Sequence, residues 1–310
     1  MNLRGRIKVV LAAVALLLVA VASVRAQEAE AKPAVDERLE RILERVGESV
    51  TRYQAELFRI AFTETLRHEE LREDMTPKKS KEFVFDTIVA REALSADEDD
   101  YYPKTVRRLR SIDGKPAQRA KGRDATAGAA VSSLIFLLPK HRKEFQFSLE
   151  GEEKLEGRRV FRIRMLQPGE GPPRVEWKGR LVGVGFYVFA PTVSLLWVDA
   201  ETYDVLRFES HLTEPFEFES PHSFSAGPLG RFGPSRRLRY AARDYVVNFR
   251  RERFKDPELT LLVPVTAEWV NIIEGASKPR TRATLRFSNY QRFRSDVKVI
   301  EEEPVQNPTR

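Results

Sequence analysis

Residues 35–63 read VDERLERILERVGESVTRYQAELFRIAFT, and a change of period near the end of this stretch decides the fold. Up to Leu57 the apolar residues fall at Leu39, Ile42, Leu43, Val46, Val50, Tyr53 and Leu57. Spacings of three and four put them on one stripe of an amphipathic helix of about five turns. Glu37, Arg38, Glu40, Arg41, Glu44 and Arg45 fill the other positions, with Glu37 and Arg41 at the i,i+4 spacing of an ion pair. After Leu57 the period drops to two, as Phe58, Ile60 and Phe62 alternate with Arg59, Ala61 and Thr63. That is the pattern of a strand with one buried face.

The same alternation recurs along the chain. Phe83 and Phe85 carry it, then Phe145, Phe147 and Leu149, then Phe161, Ile163 and Met165 against Arg162 and Arg164. It returns at Leu206, Phe208 and Ser210, at Tyr245, Val247 and Phe249, at Val263 to Trp269, and at Ala283, Leu285 and Phe287. At least eight strands of half-buried antiparallel sheet are expected. Asp113-Gly114, Glu150-Gly151, Glu156-Gly157 and Asp199 to Thr202 are the turn signals between them. Ser95 to Pro103, Pro168 to Pro173 and Pro215 to Pro234 hold no sustained period and read as loops or lids. Leu134 to Leu138 follows a run of small residues and reads as a short helix delivered to the core.

Ahead of the helix, Arg4, Arg6 and Lys8 precede the apolar run Val9 to Val24, and Val24-Arg25-Ala26 offers small residues for cleavage. The pattern is that of a secretory signal peptide cut after Ala26. Its apolar run is shorter than the roughly 20 residues that span a bilayer. The expected organisation is a leader at 1–26, a polar linker at 27–34, one domain at 35–300 and a flexible polar tail at 301–310. The expected location is the periplasm or the exterior. The leader holds four of the 53 basic residues, leaving 49 against 46 acidic ones, so the net charge of +7 falls to about +3 once it is cut. That balance gives little support to polyanion binding. There is no cysteine, which excludes disulfides, thiolate metal sites and a lipid-modified N-terminal cysteine. A packed core must hold the chain together.

Motifs of catalysis are absent. His68, His141, His211 and His222 show no zinc spacing, and the nearest metal-like cluster, Glu209, His211, Glu214, Glu217, Glu219 and His222, reads equally as a charged solvent face. No G-x-S-x-G elbow, P-loop or dinucleotide fingerprint occurs, and no cofactor is expected. Basic residues at Lys104 to Arg123 and Arg231 to Arg253 read as solubilising outer strand faces. Export argues against nucleic acid as a partner, while transient contact with a membrane surface stays open.

What stands out is one apolar face on a long antiparallel sheet, with Trp177, Trp197 and Trp269 among its large residues and one helix to cover it. A curved sheet wrapped on a helix leaves a cavity wherever the helix does not fill it. Its expected lining is Phe145, Phe147, Phe161, Ile163, Trp197, Phe208 and Trp269, suited to an acyl chain or another apolar ligand.

The order of several short motifs adds to this. Asp113-Gly114-Lys115-Pro116 comes early in the sheet, and Phe136-Leu137-Leu138-Pro139 precedes the Phe-rich strand. Leu196-Trp197-Val198-Asp199 and Tyr203-Asp204-Val205-Leu206-Arg207 flank a tight turn. Val263-Pro264 leads into Trp269, and Ser288-Asn289-Tyr290-Gln291-Arg292-Phe293 closes the set. In this order the chain resembles a family of exported bacterial proteins related to the lipoprotein-localisation carriers of the LolA/LolB type. The resemblance implies a mainly β, α+β fold: a half-barrel of antiparallel strands closed by the N-terminal helix, with an apolar interior that in the carriers holds acyl chains. No ligand-contacting residue is carried over by it. The expected function is therefore non-catalytic binding of a hydrophobic ligand, a lipid or a lipoprotein acyl chain. Two alternatives remain at this point: an envelope scaffold with a filled core and a protein partner, and a carboxylate-dependent hydrolase.

Overall fold

Alternation of apolar and polar residues builds one long antiparallel sheet, preceded by the helix α1 (Glu37–Leu57). The computed structural model describes residues 37–93, 101–117, 130–169, 171–180, 183–220, 236–255 and 258–292. The leader, the linker, the C-terminal tail and the centres of two expected loops lie outside these residues. By contact density the chain divides inside α1 into residues 1–43 and Glu44–Arg310. In the first unit the described residues are the opening turns of α1, where Arg41 pairs with Glu37 at 3.6 Å.

The second unit holds the rest of α1 and fourteen strands among the described residues. These are β1 (Ile60–Leu71), β2 (Pro77–Ala93), β3 (Tyr101–Ile112), β4 (Lys115–Pro116), β5 (Gln146–Leu155), β6 (Arg158–Gln167), β7 (Arg174–Arg180) and β8 (Gly183–Phe189). They continue with β9 (Thr192–Asp199), β10 (Val205–Leu212), β11 (Phe216–Ser220), β12 (Arg236–Lys255), β13 (Glu258–Glu274) and β14 (Arg280–Arg292). Twelve form one open sheet in the order β4-β3-β2-β1-β14-β13-β12-β10-β9-β6-β5, with β11 also paired to β12, and β7 and β8 form a hairpin of their own. Every ladder is antiparallel. The expected class, mainly β with an N-terminal helix on an open curved antiparallel sheet, is the observed one.

The change of period falls where the sequence places it: α1 ends at Leu57 and β1 begins at Ile60. Two of the expected turns are tight hairpins with both central residues in the left-handed region, Asp113 (φ 49°) with Gly114 (φ 74°) and Glu156 (φ 51°) with Gly157 (φ 82°). The turn at Asp199 is held by its own side chain, whose carboxylate accepts from the Glu201 and Thr202 amides at 3.0 and 2.8 Å.

Three expectations need correction. Glu150-Gly151 is not a turn: β5 runs through it, with a register shift between Leu149 and Gly151 that makes it a bulge. Phe216 to Ser220 is a strand and not loop, because its Phe-Glu-Phe alternation finds a partner in β12. Tyr101 to Pro103 belongs to β3. Pro168 to Pro173 is irregular in its described residues, as expected.

One face of the sheet is the core. From α1, Val46, Val50, Tyr53 and Leu57 are buried, and the Tyr53 ring stands edge-on to Phe249 of β12 at 6.4 Å. Burial of each aliphatic side chain contributes about 1.5–3 kcal/mol. Tyr53 donates to the Val131 carbonyl at 2.9 Å and Ser49 to Asp204 at 2.6 Å, tying the helix to the segment before β5 and to the β9–β10 turn. In that segment residues 130–132 are α-helical, Leu134, Leu137 and Leu138 are buried around the 3-10 turn Ile135–Leu137, and a second 3-10 turn, Arg142–Glu144, follows, so the expected short helix is present as short helical pieces.

Candidate functional site

Cross-strand pairing fixes which residues share the inner face, because residues directly opposite point the same way. Ile163 opposes Leu196, Leu196 opposes Phe208, Phe208 opposes Val247, Ser210 opposes Tyr245, and Tyr245 opposes Trp269. The row continues through Trp269 opposite Ala283, Leu285 opposite Leu66, and Glu64 opposite Phe85. Ile163, Leu196, Val247 and Leu285 are wholly buried, so most of this face is packed solid.

The packing opens on that face beside the segment that precedes β5. Phe208, Tyr245 and Trp269 stand beside Ser132, Ser133 and Phe136 of the segment before β5, around a cavity of about 250 Å³ that Ser210 and Arg243 also line. Tyr245 and Trp269 stack at 4.7 Å, and Phe208 meets Tyr245 edge-on at 5.9 Å. Of the seven expected lining residues, Phe208 and Trp269 reach this cavity. Phe145 and Phe147 lie near its rim through Phe136, with Phe136 to Phe145 at 5.4 Å and Phe145 to Phe147 at 6.4 Å. Phe161 and Ile163 are buried core of β6, Phe161 against Tyr203 at 6.3 Å. Trp197 stands on the opposite face. Its neighbours Leu196 and Val198 take the inner positions, so its indole packs under Arg207 at 5.4 Å and donates to Glu153. The run Leu195-Leu196-Trp197-Val198 is apolar on both faces, which leaves its phase ambiguous in the sequence. Trp177 lies in β7.

A bulge brings inward a residue whose sequence context places it on the surface. In β12, Tyr240 opposes Ile273 while Ala242 opposes Ile272, so Ala241 is extra and the alternation changes phase across it. Leu238 and Tyr240 point inward before the bulge; Arg243, opposite Asn271, joins Tyr245, Val247 and Phe249 inside after it. The signal in the sequence is a switch from even to odd apolar positions within one strand. The phenol of Tyr240, raised to about 12 by burial against an opposing pull from Arg243, donates to Asn271 at 2.5 Å. Phe216, Phe218, Leu238 and Tyr240 form a cluster against Val175, Val188, Ala190 and Leu212, which extends the core past the cavity.

A second polar feature lies further along the same face. Glu64, fully buried, accepts from Arg107 Nε at 3.0 Å and from Thr87 Oγ1 at 3.3 Å, and the Arg107 guanidinium lies over the Phe85 ring at 5.1 Å. Neighbouring Tyr290 donates to the Pro264 carbonyl, and burial pushes its phenol well above the usual value. Two hollows lie elsewhere. One of about 400 Å³ runs between the last turns of α1 and the β12–β13 hairpin, lined by Arg52, Asp204, Arg251 and Leu259 to Leu262. The other, of about 590 Å³, lies over β1, β2, β3 and β14, with Ile88 and Val106 exposed beside Arg108 and Arg110.

Of the acidic and histidine residues from Glu209 to Glu219, Glu209 pairs with Arg207 and Glu217 with Arg237, and His211 hydrogen-bonds Asp244 at 2.7 Å. Among the described residues no group of three or more His, Asp or Glu is arranged to hold a metal ion. His222 lies outside them.

No protein-family model matches the chain, and no curated protein matches it. Solved structures do. A domain of Vibrio parahaemolyticus assigned to outer membrane lipoprotein sorting matches 83% of this chain and 95% of its own, at 11% identity and a TM-score of 0.36. A DUF1329 family protein from Desulfovibrio piger matches 84% and 94%, at 13% identity and a TM-score of 0.36. A LolA superfamily protein from Nitrosomonas europaea matches 82% and 93%, at 11% identity and a TM-score of 0.31. This chain is similar to all three. At such scores no residue role passes from them to this chain, whose site is defined by its own geometry.

Proposed function

We propose that this is an exported, non-catalytic binding protein, periplasmic or secreted, whose sheet interior takes a hydrophobic ligand such as a lipid or an acyl chain. The observation that carries the reading is the cavity of about 250 Å³ on an inner face whose neighbouring residues Ile163, Leu196, Val247 and Leu285 are buried, with Phe136, Phe208, Tyr245 and Trp269 among its walls. Its size is just below the roughly 300–1,000 Å³ typical of small-molecule sites, which fits part of one chain better than several chains at once. Most polar groups of the inner face are committed to structure: hydroxyls bonded to carbonyls and carboxylates paired with arginines.

Titration with an environment-sensitive fatty-acid probe tests this. Saturable binding displaced by lipid is expected, with Trp269→Ala weakening it about tenfold or more; a well-folded sample that binds no amphiphile rules the reading out. One observation favours a protein partner in the envelope as a second role. Ile88 and Val106, 43% and 49% exposed, face each other across β2 and β3 beside the outer hollow, which is an unusual place for two large aliphatic side chains. Cross-linking in cells that captures one stoichiometric protein, lost on Ile88→Asp, would establish that role.

A further inference from the structure

We infer that the aromatic cavity selects single-chain anionic amphiphiles, with Arg243 as the counter-charge for the head group. The inference rests on the hydrophobic-ligand reading and narrows its ligand class.

Arg243 stands two residues before Tyr245 on β12, and the bulge at Ala241 turns it to the inner face. It lines the cavity with Phe136, Phe208, Ser210, Tyr245 and Trp269 and is only half-exposed. Five of the other six arginines of this strand have carboxylate partners: Arg237 has Glu217, Arg239 has Glu274 at 3.0 Å, Arg250 has Glu252 at 3.0 Å, Arg251 has Asp204 at 2.5 Å and Arg253 has Glu258, while Arg236, at the exposed start of the strand, has none among the described residues. Arg243 makes no ion pair and no side-chain hydrogen bond among the described residues. A guanidinium that shares a cavity lining with four aromatic side chains and has no carboxylate partner among the described residues is partly desolvated at a cost. An anionic head group arriving with its chain against the rings offsets that cost, and the planar fork of Arg suits either a carboxylate or a phosphate. The Ser210 hydroxyl, on the same face, can donate to a second oxygen of that head group. The stacked pair of Tyr245 and Trp269 offers the apolar wall for the first methylenes. The limited volume admits one chain.

The test compares dodecanoate, dodecyl phosphate and dodecanol, each below its aggregation limit, binding to the purified protein by calorimetry and by Trp fluorescence. The expected result is one saturable site that binds at least one of the two anions about tenfold or more tighter than the alcohol, the scale of a hydrogen bond to a charged group. Preference for the carboxylate alone identifies fatty acids as the source, and preference for the phosphate alone identifies lysophospholipids; either supports the inference. Arg243→Gln is expected to bring the anions down to the affinity of the alcohol, and Arg243→Lys to keep most of the preference. Equal affinity for dodecanol and both anions overturns the inference while leaving the hydrophobic-ligand reading intact, as does an Arg243→Gln protein that keeps the preference. Failure of all three compounds to bind overturns both. Should Arg243→Gln fail to fold, the wild-type protein decides with dodecyltrimethylammonium, which must bind more weakly than the preferred anion.

Discussion

A buried pair is one point of weakness in the molecule. Glu64 has no solvent contact, and Arg107 is almost as deep. Removing one partner of such a pair strands the other in a low-dielectric core, at a cost of about 3–5 kcal/mol. Glu64→Ala is therefore expected to lower the stability measured by urea unfolding by that much, whereas the double variant Glu64→Leu with Arg107→Met should recover most of the loss. A single variant that costs under about 1 kcal/mol would show the pair to be solvated. Asp199 sets a pH limit of its own. Burial raises its proton affinity, but the amides of Thr202 and Glu201 and the charge of Arg158 outweigh that and hold the carboxyl below its usual range. Because the folded value lies below the unfolded one, the stabilisation is complete above the usual carboxylate range and disappears as pH falls through the depressed folded value. Asp199→Asn should thus flatten part of the acid limb of stability against pH, while the same limb unchanged in the variant would place the effect elsewhere.

Elements show where the sequence is legible and where it is not. The helix and most strands follow from period alone, since burial of one face imposes 3.6 or 2 on the apolar residues. Asp113-Gly114 and Glu156-Gly157 are readable because each turn takes two left-handed residues in a row. What period cannot show is phase, and the side chains placed on the wrong face trace to that. Trp197 sits in a run that is apolar on both faces, and Arg243 follows a bulge that reverses inside and outside within one strand. Glu64 and Arg107 are invisible in the sequence because a charge at an inner position looks like the end of a pattern until its partner, 43 residues away, is seen across the sheet. The β12 bulge itself can be tested. Deleting Ala241 should leave a regular strand in which Leu238 and Tyr240 share the inner face with Arg243, Tyr245 and Val247. Stability within about 1 kcal/mol of the parent and a retained near-ultraviolet dichroism from the Tyr245–Trp269 stack are expected. A loss of about 3 kcal/mol or more, the scale of exposing two large apolar side chains, would mean that the two halves of the strand do not realign.

At the scale of the whole molecule, a core without cysteine is indifferent to the redox state of its compartment. With 284 residues after Ala26 and no disulfide available, folding must rest on apolar burial of the kind the inner face supplies. Such a chain can mature in an oxidising compartment with no dependence on thiol chemistry, so its thermal midpoint should be the same with and without reductant. The leader makes the stricter prediction. Expressed with its full N-terminus in a Gram-negative host, the protein should be recovered from the periplasm or the medium with Gln27 as its first residue. Leu17→Arg, which breaks the apolar run Val9 to Val24, should leave the full-length chain in the cytoplasm, because a charge at the centre of so short a run removes the segment that the export machinery reads. Uncleaved protein in the membrane fraction would instead make Val9 to Val24 a retained anchor. The inner-face cavity would then work tethered at the bilayer, taking its ligand from the membrane surface.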